Sequence, residues 1–328
     1  VVNEMSTIET TVVKKEFRGL EKLNTVKNAL IPFLGLILMT AAFEVASQHK
    51  LLLPTNLVTI LNQTFSIMII ALGATFVFAH GGLDVSYGSV FGMSILCAAA
   101  VAHAGYVWLS FPVAVLAATA CALVNGGVSI LCGISPFITS LCILFIGRGI
   151  LNTICSSSQI AIPTYMMNID TWQNKLAVLA ATIAVTVVLF EKTKIGRNNK
   201  AIGGNPKSAE QAGVNIGLYR LIAYLISGIT IGIAAFFSMV RMGSVSSATG
   251  QGLEMSIITA LVLGGMPMTG GMGSKIISAI IGSISITVLK NGLIILGVND
   301  KIIEGIQGII ILAIILVSYK KEKNALLS

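Results

Sequence analysis

The few residues able to do chemistry in this chain stand in short polar breaks between long apolar runs. The first break is His80-Gly81-Gly82-Leu83-Asp84-Val85-Ser86-Tyr87-Gly88-Ser89. A carboxylate at the centre of a membrane helix costs about 2.5–3.5 kcal/mol on insertion scales. A broken joint lowers that cost. Gly81, Gly82 and Gly88 let the backbone turn and offer freed N–H groups to Asp84. Such backbone is tolerated at membrane depth only inside protein or along a wet cavity. One reading makes Gly81, Gly82, Asp84 and Ser86 a clamp beside a translocation path. The other makes the stretch an ordinary loop in which Asp84 or Ser86 caps the next helix. Under both, Asp84 can be structural and never touch solute.

The second break is Leu263-Gly264-Gly265-Met266-Pro267-Met268-Thr269-Gly270-Gly271-Met272-Gly273-Ser274. Pro267 and the glycines stop a helix. Gly264, Gly265, Gly270 and Gly271 then belong to a gate of the kind built from broken transporter helices, or to a tight turn. The third break runs Ala201-Ile202-Gly203-Gly204-Asn205-Pro206-Lys207-Ser208-Ala209-Glu210-Gln211-Ala212-Gly213-Val214-Asn215-Ile216. Asn205 suits an N-cap, Pro206 the first helical turn and Gly213 the left-handed end. The spacing predicts a helix of about two turns, too short to hold alone in water. It docks a cytoplasmic partner or lies as a helical turn in a surface loop.

Other ionisable groups near the apolar runs are Glu44, His80, Arg148, Glu254 and Lys290. Arg148 is the charge expected deep in the bundle, with Glu44 and Glu254 near outer ends. A proton-driven carrier needs an acidic or histidine relay, and these groups are scattered. A membrane-embedded enzyme needs clustered catalytic groups, and none is evident. No Gly-Lys-Ser/Thr follows a glycine at phosphate-loop spacing. ATP, if used, is hydrolysed by another subunit. The five cysteines lack paired spacing and read as small buried apolar residues.

These residues must be held by membrane helices. Hydrophobic residues make up 55% and charged residues 10% of the 328, against about 25% charged in soluble domains. So few charges cannot coat a soluble surface of this size. The net charge of +8 sits beside apolar runs rather than on one polar face, which speaks for topology and against nucleic acid. The runs lie near 30–46, 57–79, 89–104, 107–132, 136–154, 176–190, 219–240, 253–268, 274–297 and 302–318. They do not alternate, so helices are expected rather than a barrel. The expected fold is all-α, a polytopic bundle of about ten transmembrane helices. With the first 27 residues cytoplasmic and ten crossings, only Lys50, Lys175, Arg241 and Lys301 fall outside. Both termini are then cytoplasmic. Residues 1–27 and 319–328 form tails, 28–318 the membrane domain, and 191–218 a cytoplasmic loop. The first run reads as a retained signal anchor. If the short, Gly-interrupted eighth run were re-entrant, the basic carboxy-terminal tail would fall outside, so that run is expected to cross.

At these motifs the chain resembles the ribose-type, monosaccharide-branch permease subunits of bacterial ABC importers. Ala71-Leu72-Gly73 through Gly81-Gly82-Leu83-Asp84-Val85-Ser86 is similar to the family's ALG…GGIDLS signature. Val124-Asn125-Gly126 followed by Ser135-Pro136-Phe137-Ile138-Thr139-Ser140-Leu141 resembles its NG…PPFIVTL segment, with Ser135 replacing a proline. Arg148-Gly149 matches an ARG-type element. Residues 201–205 and 212–214 resemble the AIGGN…AGI coupling loop. Gly250-Gln251-Gly252-Leu253-Glu254 and the Gly264–Ser274 stretch resemble the G-x-G-x-E-L…VLGG…GGxGS run, with Met272 in place of the usual arginine.

The resemblance implies a non-enzymatic permease subunit of the bacterial inner membrane. It pairs with a second permease copy or a homologous permease. A cytoplasmic sugar-type ABC ATPase, which uses ATP and magnesium, docks on it, and an extracytoplasmic solute-binding protein delivers a monosaccharide. This chain would bind no cofactor or metal itself. Asn205, Pro206, Ser208, Ala209, Glu210 and Gly213 would form the ATPase-coupling helix. Asn125 and Arg148 join Gly81, Gly82, Asp84, Ser86, Gly264, Gly265, Gly270 and Gly271 as candidates for the path or gate. A nucleoside, a branched-chain amino acid or a sugar-like signalling molecule is the alternative solute within this class. An ion-coupled secondary carrier is the alternative outside it.

Overall fold

The computed structural model describes residues 31–156 and 159–318. The two expected tails, and positions 28–30 at the start of the expected membrane domain, lie outside them. The described chain is mostly helical, with irregular segments between the helices and one short antiparallel pair, β1 (Ile160–Ala161) with β2 (Ser244–Val245). The helices are α1 (Ile31–Ala46), α2 (Pro54–Ala79), α3 (Tyr87–His103), α4 (Ser110–Cys132), α5 (Pro136–Cys155) and α6 (Trp172–Val187). They continue with α7 (Lys194–Gly204), α8 (Pro206–Gln211), α9 (Ile216–Met242), α10 (Leu253–Leu263), α11 (Ile276–Ile295) and α12 (Asp300–Ser318).

Local sequence sets many of these boundaries. Pro54 and Pro136 open α2 and α5, where a missing N–H costs nothing. Side-chain oxygens of Thr171, Asn205 and Asn215 accept from the backbone N–H groups of Asn174, Ser208 and Leu218 and so cap α6, α8 and α9. Gly133 and Gly243 end α4 and α9 at φ 65° and 73°.

Six stretches are long and apolar enough to span a bilayer: Pro54–Ala79, Val107–Cys132, Pro136–Cys155, Trp172–Lys192, Ile216–Met242 and Ile276–Ile295. α1, α3 and α10 are apolar but shorter. Every expected run carries a helix, yet the eighth carries only eleven helical residues. That is about 16 Å, half of a hydrocarbon core of about 30 Å. Its remainder is the Gly–Pro turn, where Gly265 stands at φ 86°.

The core is made by α2, α9 and α11, whose apolar stretches are 61%, 61% and 67% buried, against 22% for α4, α5 and α6. The last three face outward, where lipid is as apolar as the interior. α4 closes on α9 because Gly228 and Gly232 let the backbone of one helix meet the other at Thr119 and Val115. The cysteines differ from expectation. Cys155 is buried, but Cys97, Cys132 and Cys142 are exposed, and all five are free. In a membrane chain an apolar residue has no need to turn inward, so apolarity does not predict burial.

Candidate translocation and coupling site

The Gly–Asp break forms a buried joint between α2 and α3. Asp84 is 2% exposed. One carboxylate oxygen accepts from the Ser86 amide and the Ser86 hydroxyl, each at 2.7 Å. The other accepts from Asn125 Nδ2 on α4 at 3.1 Å. A carboxylate only accepts, so it dictates which way the Asn125 amide turns. The Val85 amide donates to Ser140 Oγ on α5 at 3.1 Å. Asp84 therefore ties the start of α3 to α4, and the neighbouring Val85 amide ties the same joint to α5. Ser86 occupies the N-cap position of α3 but makes no capping bond with its side chain. Asp84 thus makes a buried structural joint rather than a helix cap.

The second and third breaks meet the first. The Ala79 carbonyl, at the end of α2, accepts from the Gly271 amide at 2.9 Å. A Cβ on Gly270 would stand 2.5 Å from the Phe78 oxygen and 2.6 Å from the Ala79 oxygen. One on Gly81 would stand 3.0 Å from the Thr269 oxygen. One on Gly203, at the end of α7, would press on the Ala79 oxygen and stand 2.5 Å from the Gly271 nitrogen. Three backbones thus pack against each other with no side chain between them. Gly264 lies further along, against the Ser278 backbone of α11, while Gly265 faces Pro32. His80 is buried beside the joint, its ring 6.1 Å from that of Tyr224. Gly82 packs under the His80 ring.

α8 follows directly. It has six residues, close to the expected two turns, and Gly213 at φ 83° follows it with its amide bonded to the Glu210 carbonyl at 2.9 Å. Ala209 is buried against the bundle, while Pro206, Ser208 and Glu210 are exposed beside Lys207 and Gln211. α7 is pinned to the end of α6 by Lys200, which reaches Glu191 at 2.9 Å and lies 4.3 Å from the Phe190 ring.

Arg148 serves a separate place. Its guanidinium donates to the Thr249 carbonyl at 2.9 Å, the Gly250 carbonyl at 2.5 Å and Glu254 at 3.4 Å. Glu254, in the first turn of α10, is largely buried as the partner of Arg148. The pair holds the irregular segment before α10 against α3. Gly88 makes room for it beneath the Gly250 carbonyl.

A cavity of about 400 Å³, lined by apolar side chains such as Ile67, Met242 and Leu253 as well as polar ones, opens between α2, α3, α9, α10 and α11. Its wall includes Asn62, Gln63, Ser66, Phe91, Ser238, Arg241, Gln251, Ser256 and Lys290. Gln63 accepts from Asn291 at 2.7 Å, and Ser66 and Ser238 share a hydrogen bond of 2.8 Å. Amides, hydroxyls and an aromatic ring around a space of this size suit a small polyhydroxy solute. None of the ten residues singled out for the path or gate lies in this lining. They hold the helices that do. The signal for the cavity is present in α2, where Asn62, Gln63 and Ser66 put amides and a hydroxyl on one side of the helix. Among the described residues no cluster of His, Cys, Asp and Glu suits a metal ion.

Known proteins match the chain over most of its length. The family described as branched-chain amino acid transport system / permease component matches residues 56–317. The galactose/methyl galactoside import permease of Escherichia coli K12 is 31% identical over 303 residues, covering 82% of this chain and 88% of that protein. The fructose import permease of Bifidobacterium longum is 31% identical over 284 residues, covering 82% and 78%. The ribose import permease of Bacillus subtilis is 28% identical over 309 residues, covering 90% and 94%. No solved structure matches.

Proposed function

This chain belongs to the permease family that spans residues 56–317, and from that premise we propose that it forms the membrane path of an ABC importer for a monosaccharide. It is a membrane transport subunit and not an enzyme. The observation that carries the reading is the backbone contact joining Gly203, Gly271 and Ala79. Through it the α7–α8 loop grips one end of α2. The opposite half of α2 supplies Asn62, Gln63 and Ser66 to the cavity. A push at the loop therefore reaches the cavity along one helix.

In this reading α8 is the coupling helix. Its exposed Pro206, Ser208 and Glu210 seat in a cytoplasmic ATPase, which binds ATP and magnesium, and Ala209 anchors it to the bundle. Closure of the ATPase moves the loop and opens the cavity to the other side. An extracytoplasmic binding protein supplies the solute, and a second permease copy or a homologue completes the assembly. Ten crossings with both ends cytoplasmic follow from the charge asymmetry, the short α10 completing its crossing through the Gly264–Ser274 turn. A sugar is preferred to an amino acid because the names of the similar permeases specify galactose, fructose and ribose.

The test is uptake by the complete importer in proteoliposomes. Glu210→Arg and Gly213→Val should each leave the assembly in the membrane but separate ATP hydrolysis from sugar uptake. Parental coupling in both variants would refute the docking assignment.

A further inference from the structure

The connection between α5 and α6 carries a buried lysine that no part of the coupling account uses. Lys175 is 4% exposed. Its ammonium lies 2.6 Å from Asp170 and 5.1 Å from the centre of the Trp172 ring, both on its own segment. It also donates at 2.6 Å to Asn62 Oδ1, 113 residues away on α2 and in the cavity wall. The connection is fastened nearby by the β1–β2 pair and by the Ile162 amide, which donates to the Gly243 carbonyl at 3.0 Å. Arg241 and Lys290 are further cations in the cavity wall.

We propose that Lys175 is the latch of the solute-entry side of the path, closed when it holds Asn62 and released when α2 moves away. The arrangement of partners supports this. A buried ammonium stripped of its carboxylate is strongly disfavoured. Here the carboxylate and the aromatic ring travel with the lysine, five and three residues away in sequence. Only Asn62 lies on another helix. Parting from it breaks one charge-assisted hydrogen bond and leaves the charge compensated. The contact can therefore open and close repeatedly, which a cross-helix ion pair would resist. Asn62 is on the helix whose far end is held by Gly203 and Gly271, so displacement at the coupling loop and release of Lys175 are two ends of one rod. This inference rests on reading the cavity as the transport path.

The test is chemical accessibility in intact cells expressing the complete importer. All five native cysteines are replaced by alanine, and Ser66→Cys places a thiol on the cavity wall. A membrane-impermeant maleimide is added outside, and the labelling rate is normalised to the amount of permease in the membrane. Lys175→Met and Asn62→Ala should each raise the rate about tenfold, as loss of one charge-assisted bond implies. The double variant should go no further than either alone. Asn62→Asp, which turns the contact into an ion pair, should lower the rate below the parental value. Asn62→Ala leaves the Asp170 pair intact, so it decides the matter if Lys175→Met fails to accumulate. Parental rates in both loosening variants, or faster labelling in Asn62→Asp, overturn the latch and leave the path standing. A thiol at 66 that never reacts from outside in any variant overturns both.

Discussion

Gly203 and Gly204 are neighbours at the end of α7, and the structure gives them opposite sensitivities. A methyl group on Gly203 would drive into the Ala79 carbonyl and stand 2.5 Å from the Gly271 amide nitrogen. Both are backbone atoms, so neither can swing aside. Overpacking of this kind costs about 1–3 kcal/mol. Losing the 2.9 Å bond from Gly271 to Ala79 adds about 0.5–1.5 kcal/mol. The strain of Gly203→Ala is therefore about 1.5–4.5 kcal/mol, as large as or larger than the coupling energies, about 1–3 kcal/mol, that link distant sites. A methyl group on Gly204 meets nothing within 4 Å, and in a helix alanine is favoured over glycine by about 0.5–1 kcal/mol. Sugar uptake and ATP hydrolysis are measured on the same reconstituted importer. Gly203→Ala should lower uptake at least tenfold while hydrolysis falls less, and Gly204→Ala should match the parent in both. Equal behaviour of the two variants would refute the claim that this backbone contact transmits the coupling.

Asp84→Asn replaces an acceptor with a group that must turn an N–H₂ toward Ser86 or Asn125, all of them donors to it now. Loss of charge-assisted bonds at about 1.5–3 kcal/mol each should lower the melting temperature in detergent, and an unchanged transition would contradict the clamp. Arg148→Met leaves Glu254 buried without its cation. Breaking such a pair costs about 3–5 kcal/mol, visible as faster proteolysis within the 246–252 segment; unaltered proteolysis would speak against the role given to Arg148. Gly264→Ala should fail to accumulate in membranes, because its methyl group would overlap the Ser278 backbone, whereas Gly149→Ala, which meets nothing within 4 Å, should accumulate normally. An immunoblot of membranes compares them.

The sequence made the breaks legible because glycine, proline and capping residues act locally. Asn205 and Gly213 bracket α8 as their types predict, and Asp84 sits in a Gly-broken joint. Partnerships across the bundle were not legible. Asp84 meets Asn125 at a separation of 41 residues and Arg148 meets Glu254 at 106. Nothing in the spacing of either pair encodes the contact, which depends on how helices pack. The cavity was missed for a related reason. Single polar residues such as Ser238, Ser256 and Lys290 in apolar helices carry no pattern until the helices come together. The cysteines failed from the opposite side, since apolarity in a lipid-facing chain does not separate inside from outside.

The central claim is that this chain is the path of an ATP-driven sugar importer. It is tested most directly by reconstituting it with its ATPase and binding protein and following radiolabelled galactose, fructose and ribose into vesicles. The account predicts accumulation of one of these sugars that requires ATP on the ATPase side, is blocked by vanadate, persists when ion gradients are collapsed, and is not displaced by leucine. Uptake by the permease alone, driven by an ion gradient and indifferent to vanadate, would contradict it.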